Sequence, residues 1–278
     1  MKNFITRTIT GVLFVAVLVG CFLEPKAMII LFALITGMTI WEYSGLVNQW
    51  DDIQVNRFIC TAAGVYLFLA MAGYCTGIAN GTVFIPYLIT LLYLIISELF
   101  TQAPNPINNW AYAMLSQGYI ALPFSTINIL AFQTGDTVEY NYILPLSVFI
   151  FLWVNDTGAY CTGSLLGRHK LFPRVSPGKS WEGSVGGAVF VIVAAAIVGL
   201  LTGDGTSPLS ISVWLGLGLV VVVFGTLGDL VESLFKRTLG IKDSGNILPG
   251  HGGMLDRFDS SLMAIPASVI YIYSLSLF

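Results

Sequence analysis

Apolar runs of about twenty residues alternate with short polar stretches along nearly the whole chain. A helix needs roughly 20 mostly apolar residues to cross about 30 Å of hydrocarbon. Nine segments fit, near 8–23, 27–46, 58–79, 83–100, 110–132, 142–160, 184–201, 211–230 and 260–277. The fifth, WAYAMLSQGYIALPFSTINILAF, holds polar residues and Pro123, so a kinked or partly re-entrant helix is expected there. The last contains Pro266, which a membrane helix tolerates when neighbours satisfy the freed carbonyl. The pattern predicts an all-α, polytopic integral membrane helical bundle with about nine transmembrane helices. No internal repeat or low-complexity tract is visible, and no polar stretch is long enough to form a soluble domain. Residues 1–278 therefore read as a single membrane domain, with 1–150 mainly lipid-facing scaffold.

Composition strengthens this reading. Soluble domains carry about 25% charged residues to cover their surface, whereas this chain of 278 residues has 10% charged and 56% hydrophobic residues. The net charge of −3 and the lack of any basic run argue against a nucleic-acid partner. Cys21, Cys60 and Cys75 lie in apolar segments without CxxC spacing and read as small buried hydrophobes, while Cys161 lies near charged residues. The N-terminus has two basic residues before an apolar run, as a signal peptide would. It lacks a small-residue cleavage site, and further apolar segments follow at once, so an uncleaved first span is expected.

Basic residues set the orientation, because Lys and Arg accumulate in cytoplasmic loops. With nine spans and the N-terminus inside, Lys2, Arg7, Arg57, Arg168, Lys170, Arg174, Lys179, Lys236, Arg237, Lys242 and Arg257 all fall on the cytoplasmic side, and only Lys26 falls outside. The two long loops, about 161–183 and 231–259, are then both cytoplasmic.

An ionisable group in a membrane segment is costly and calls for a reason. Glu42, Glu98, Asp156 and Asp229 sit at or near the inner ends of spans two, four, six and eight. For Glu42 and Glu98 the plain explanation is that a helix end meets water. Asp229 faces an unfavourable dipole at the end of an inward-running helix, which asks for a counter-charge or cation. If that helix continues, Asp229, Ser233 and Lys236 share one face at i, i+4 and i+7, with Arg237 beside Ser233. The glycine-rich stretch DSGNILPGHGG follows, whose backbone N–H groups can converge on an anion. Asp256 and Asp259 come next, at i and i+3, with Arg257 between them.

Hard oxygen ligands of this kind suit Mg²⁺ with substrate phosphate, as phosphoryl or nucleotidyl transfer requires. A solvated basic loop resting on anionic lipid accounts for the same spacing. The loop NDTGAYCTGSLLGRHKLFPRVSPGKSWEG repeats the theme with Asp156, Arg168 and Lys179, without matching a Walker loop. Lys179 and Arg168 suit either phosphate or a lipid headgroup. His169 and His251 are too far apart in sequence to argue for a zinc pair, and His251 is either positional or a substrate contact.

The run Ser233-Leu-Phe-Lys236-Arg237, then Lys242-Asp243, Pro249-Gly-His251-Gly252-Gly253 and Asp256-Arg257-Phe-Asp259 resembles the signature of phosphatidate cytidylyltransferases (CDP-diacylglycerol synthases). The NDTGAYCTGSLLGRHK and SPGKSWEG stretches are similar to the family's second landmark, with Ser180 where a Thr is expected. The resemblance is carried by motifs across roughly 153–262; before 150 it rests on hydrophobic pattern alone. It implies that a phosphate oxygen of phosphatidate attacks the α-phosphorus of CTP, giving CDP-diacylglycerol and pyrophosphate, with catalytic loops and helices in 151–262. It implies Mg²⁺, with a second, monovalent cation such as K⁺ as an option, and a homodimer in the inner membrane with its active site facing the cytoplasm. By the same resemblance Asp229 and Asp256 are metal ligands, supported by Asp259. Ser233, Lys236 and Arg237 hold phosphate groups, the first two joining Asp229 and Asp256 as the catalytic set. Lys242, His251 and Arg257 contact nucleotide or lipid phosphate, and Asp156, Arg168 and Lys179 complete the pocket.

Three rivals differ in testable ways. The first is a secondary transporter or channel; transporters place charges and broken helices near the midplane, often in paired repeats, whereas here the charges crowd one side. A CTP-dependent lipid or polyprenol kinase would transfer the γ-phosphate. A CDP-alcohol phosphotransferase would need an Asp-Gly…Ala-Arg…Gly…Asp…Asp pattern that the chain lacks.

Overall fold

In lipid a backbone must satisfy its own polar groups, and the apolar runs do so as helices. The computed structural model describes residues 2–134, 138–203, 209–245, 247 and 252–275. Its helices are α1 (Lys2–Phe22), α2 (Pro25–Val47), α3 (Arg57–Cys75), α4 (Ile85–Thr101), α5 (Pro106–Leu115), α6 (Leu122–Ala131), α7 (Ile143–Leu166), α8 (Trp181–Thr202), α9 (Ile211–Thr238) and α10 (Met254–Leu275). Two short antiparallel hairpins, β1 (Phe132–Thr134) with β2 (Val138–Tyr140) and β3 (Lys170–Phe172) with β4 (Ser176–Ser180), were not foreseen from the hydropathy pattern.

Among the described residues seven helices are long and apolar enough to cross a membrane: α2, α3, α4 with the 3-10 turn before it, α7, α8, α9 and α10. The chain is an all-α multi-pass membrane protein. The two remaining sequence segments correspond to α1, whose described apolar part is Thr8–Phe22, and to the run from α5 to α6. A π-helical turn, Ser116–Ala121, interrupts that run just ahead of Pro123, where a kink was expected.

The chain forms two compact units. The first is Met1–Tyr142 with Leu239–Phe258. Its core is an aromatic cluster: Phe124 and Phe258 lie 5.6 Å apart, Phe22 and Phe32 5.5 Å, and Phe32 stands 6.2 Å from Phe124 and 6.3 Å from Phe258. Phe258 thereby fixes the start of α10 to α2 and α6. A Cβ on Gly64 would meet the Ile40 side chain at 2.1 Å and Ala121 at 3.1 Å, so α3 can lie this close only without a side chain there.

The second unit is Ile143–Thr238 with Asp259–Phe278. Here α7 and α8 cross almost backbone to backbone: a Cβ on Gly183 would lie 2.9 Å from the Ala159 carbonyl, and one on Gly187 2.8 Å from that of Asn155. Small residues allow such contacts between membrane helices, where no hydrophobic driving force separates helix from lipid. Gly228 does the same for α9 and α10, at 2.8 Å from the Asp259 carbonyl. Twenty-eight residues make α9 about 42 Å long, more than the ~30 Å of hydrocarbon, so its charged last turns can stand in the interface.

Candidate active site

Within the second unit three helices and a hairpin each contribute one charge. Asp156 is on α7, Asp229 on α9, Asp259 on α10 and Lys179 on β4. Lys179 forms an ion pair with Asp229. Asp229, Asp156 and Lys179 all lie within electrostatic reach of Asp259. The Ser233 hydroxyl donates to Asp229 Oδ1 at 3.2 Å, as the i, i+4 spacing predicts once α9 runs on to Thr238. Asp156 lies ten residues before the end of α7, which continues to Leu166, and Gly158 and Gly163 let α8 pack against this stretch.

A pocket of about 460 Å³ opens beside these groups, lined among others by Asn155, Asp156, Lys179, Ser180, Ser184 and Thr226. Its rim is set by the start of α8. Ser180 is the N-cap residue and accepts the Gly183 N–H at 3.1 Å. Glu182, in the first turn, accepts the backbone N–H groups of Arg168 and His169 at 3.1 and 3.2 Å and meets His169 Nδ1 at 2.6 Å. Glu182 thus ties the α7–β3 connection to α8 and fixes where Arg168 leaves the chain; the Arg168 side chain is exposed. Asn155 is buried, and its Oδ1 lacks a hydrogen-bond partner, which is expensive unless something else supplies a donor.

Lys236 is placed differently from the sequence reading. It pairs at 2.8 Å with Glu232, one turn back on α9, a residue with no exposed surface. Glu232 carries no motif signal and was missed; its i, i+4 spacing to Lys236 was the only clue. Arg237 is exposed in the last turn of the same helix.

The remaining predicted residues belong to the first unit. Asp256 is buried, and its Oδ2 accepts the N–H groups of Ser244 at 2.9 Å and Gly253 at 2.8 Å. A carboxylate three residues into a helix that reaches back to the preceding N–H is half of a capping box. The reciprocal bond comes from Ser244, whose hydroxyl accepts the Asp256 N–H at 3.3 Å, and Glu42 on α2 accepts the N–H groups of Met254 at 2.9 Å and Leu255 at 3.0 Å and the Ser244 hydroxyl. Glu42 therefore does not simply meet water at a helix end; it is buried and holds the first turn of α10, where the helix dipole favours an anion. Lys242 and Arg257 are exposed, and His251 lies outside the described residues.

Among the described residues no three His, Cys, Asp or Glu side chains are placed to enclose a metal ion by themselves. The donor set of the second unit nevertheless fits a hard divalent cation. Three carboxylates against one ammonium leave excess negative charge, and Mg²⁺ ordinarily takes one or two carboxylates and fills its other positions with water and phosphate.

The sequence profile described as the Cytidylyltransferase family matches residues 5–275. The chain belongs to that family. It is similar to a phosphatidate cytidylyltransferase of Haemophilus influenzae, with 34% identity covering 92% of this chain and 93% of the relative. Phosphatidate cytidylyltransferases of Staphylococcus aureus and Staphylococcus epidermidis are 32% and 31% identical, each match covering 94% of this chain and 95% of the relative. Cytidylyltransferase membership makes the protein a nucleotidyl-transferring enzyme, and the match extends over the first 150 residues, where the sequence had offered only hydropathy.

Proposed function

We propose that this protein transfers the cytidylyl group of CTP to phosphatidate. A phosphate oxygen of phosphatidate forms a bond to the α-phosphorus, the bond from that phosphorus to the bridging oxygen of the β-phosphate breaks, and pyrophosphate leaves with the electron pair. CDP-diacylglycerol is the product. The observation that carries this reading is the Asp156–Lys179–Asp229–Asp259 cluster beside the pocket between α7, β4 and α8.

Lys179 offers the pocket a cation for phosphate, and its pairing with Asp229 holds the ammonium in place before substrate arrives. Ser233 orients Asp229 through its hydroxyl. Asn155 Oδ1 would accept a donor from the bound nucleotide. Asp229 and Asp259 would hold Mg²⁺, which neutralises charge on the phosphates when bound. Asp256 is assigned to building the α10 start, since Oδ2 is committed to two backbone N–H groups. The positive charges of the loops support a pocket on the cytoplasmic face of the inner membrane, where CTP is available. We take the assembly as a homodimer, checked by light scattering with the detergent mass subtracted.

The deciding assay supplies purified protein with Mg²⁺, phosphatidate and CTP labelled at the α- or the γ-phosphate. Only α-label should enter lipid. γ-Label in lipid would make the protein a kinase, and no label in lipid would overturn the reading.

A further inference from the structure

The first unit holds a second recess, remote in chemistry from the carboxylate cluster. It is an apolar groove of about 680 Å³ between α2 and α3, lined by Ile30, Leu34, Met38, Trp41, Val65 and Leu69 among others. Gly37 forms part of its wall, where a Cβ would come to 3.0 Å from Val65. From Ile30 to Trp41 is eleven helical steps, about 16 Å along the axis, which matches half of a ~30 Å hydrocarbon core. That is the reach of one acyl chain in one leaflet.

A cation stands over Trp41, one of the residues that line this groove. The Arg57 guanidinium lies 4.1 Å from the centre of the Trp41 ring and donates to the Trp41 carbonyl at 2.9 Å. Its Nε is buried without a hydrogen-bond partner, and among the described residues no carboxylate pairs with it. Arg57 also opens α3, where the helix dipole disfavours a positive charge. The loop before it is held in shape by Asn48, whose side chain bonds both the N–H and the carbonyl of Val55, at 2.7 and 2.8 Å. Asn56 caps α3 by accepting the Ile59 N–H at 3.0 Å. An arginine without a carboxylate partner, fixed at a helix N-terminus with its guanidinium incompletely hydrogen-bonded, calls for an anion.

We propose that the α2–α3 groove is a binding site for an anionic phospholipid, with the phosphate at Arg57 and one acyl chain along Leu34, Met38 and Val65. The site is separate from the proposed reaction and requires none of its residues. Trp41 provides the boundary between the two parts of the ligand: its ring stacks under the guanidinium and its edge lines the groove.

The test uses the full chain in detergent and phosphatidylglycerol, an anionic lipid that is not the proposed substrate, against phosphatidylcholine with the same acyl chains. Native mass spectrometry reads the first lipid retained. The wild type should hold phosphatidylglycerol about tenfold more tightly, the order expected for one charge-assisted contact. Arg57→Gln should abolish the preference and Arg57→Lys should keep most of it. Ala33→Phe, which fills the groove from α2, should weaken retention of both lipids. A diazirine placed mid-chain on phosphatidylglycerol should label α2 and α3 between residues 30–38 and 61–69. Equal retention of the two lipids by the wild type, a preference undiminished in Arg57→Gln, or labelling confined to other helices would overturn the proposal. Cytidylyl transfer in the same samples reports separately on the reaction, so failure of one leaves the other standing.

Discussion

Lys179 and Lys236 look alike in sequence, each a lysine in a polar stretch at a membrane edge, but their surroundings give them different work. Lys179 is about a quarter exposed and faces a pocket with its partner Asp229, whereas Lys236 is matched to a carboxylate that has no contact with solvent. Lys179→Met should leave the protein folded and inserted while lowering α-label transfer by about two to three orders of magnitude, the usual loss when one stabilising donor is removed. Lys236→Met should instead unfold the protein more easily, since stranding a buried charge costs about 3–5 kcal/mol; thermal unfolding in detergent checks this. Asp229→Asn belongs with Lys179 and should abolish transfer without a comparable fall in melting temperature. Helical spacing in the sequence set Ser233 beside Asp229, as their hydrogen bond has it, whereas Lys179 stood out only as a lysine in a polar loop. That spacing could not reveal Glu232, Asn155 or Glu182, whose importance comes from burial and from partners on other elements.

At the scale of elements, the helices were legible because lipid imposes long apolar runs, and the breaks within them were legible where Pro and polar residues clustered, as before Pro123. The hairpin β3–β4 was not, since its strands are short and polar and gain their place from Glu182 and the α8 cap rather than from alternation. Nor was the start of α10, six residues earlier than hydropathy suggested, because Met254–Asp259 is too polar to read as a span. Its first turn depends on Glu42, which is distant in sequence. Glu42→Ala removes the acceptor for two backbone N–H groups and for Ser244, and should destabilise the first unit by about 1–3 kcal/mol. Glu42→Gln, which keeps an acceptor oxygen but loses the charge facing the helix dipole, should cost less. Amide exchange at Met254 and Leu255 reads the effect locally, and faster exchange in neither variant would show that Glu42 is not the cap.

For the whole molecule, orientation is the property on which the proposed use of CTP depends, and it was argued from charge alone. Eleven of the twelve basic residues fall on one side if the spans alternate as the sequence reads, and Lys26, in the first turn of α2, is the exception. The twelve therefore make a sharp prediction in living cells. In a background with Cys21, Cys60, Cys75 and Cys161 replaced, Lys170→Cys on β3 and Lys242→Cys after α9 should resist a membrane-impermeant maleimide until the membrane is opened. Lys26→Cys should react in intact cells. Both Lys170 and Lys242 are exposed, so protection from the reagent would reflect the membrane and not burial. The π-turn between α5 and α6 gives the experiment its force. If the run 106–131 enters and leaves on one side instead of crossing, every later loop changes side, and Lys170 and Lys242 would become reactive in intact cells. That outcome would put Lys179 and its carboxylates on the face without CTP, and no arrangement of those residues could then perform the transfer proposed for them.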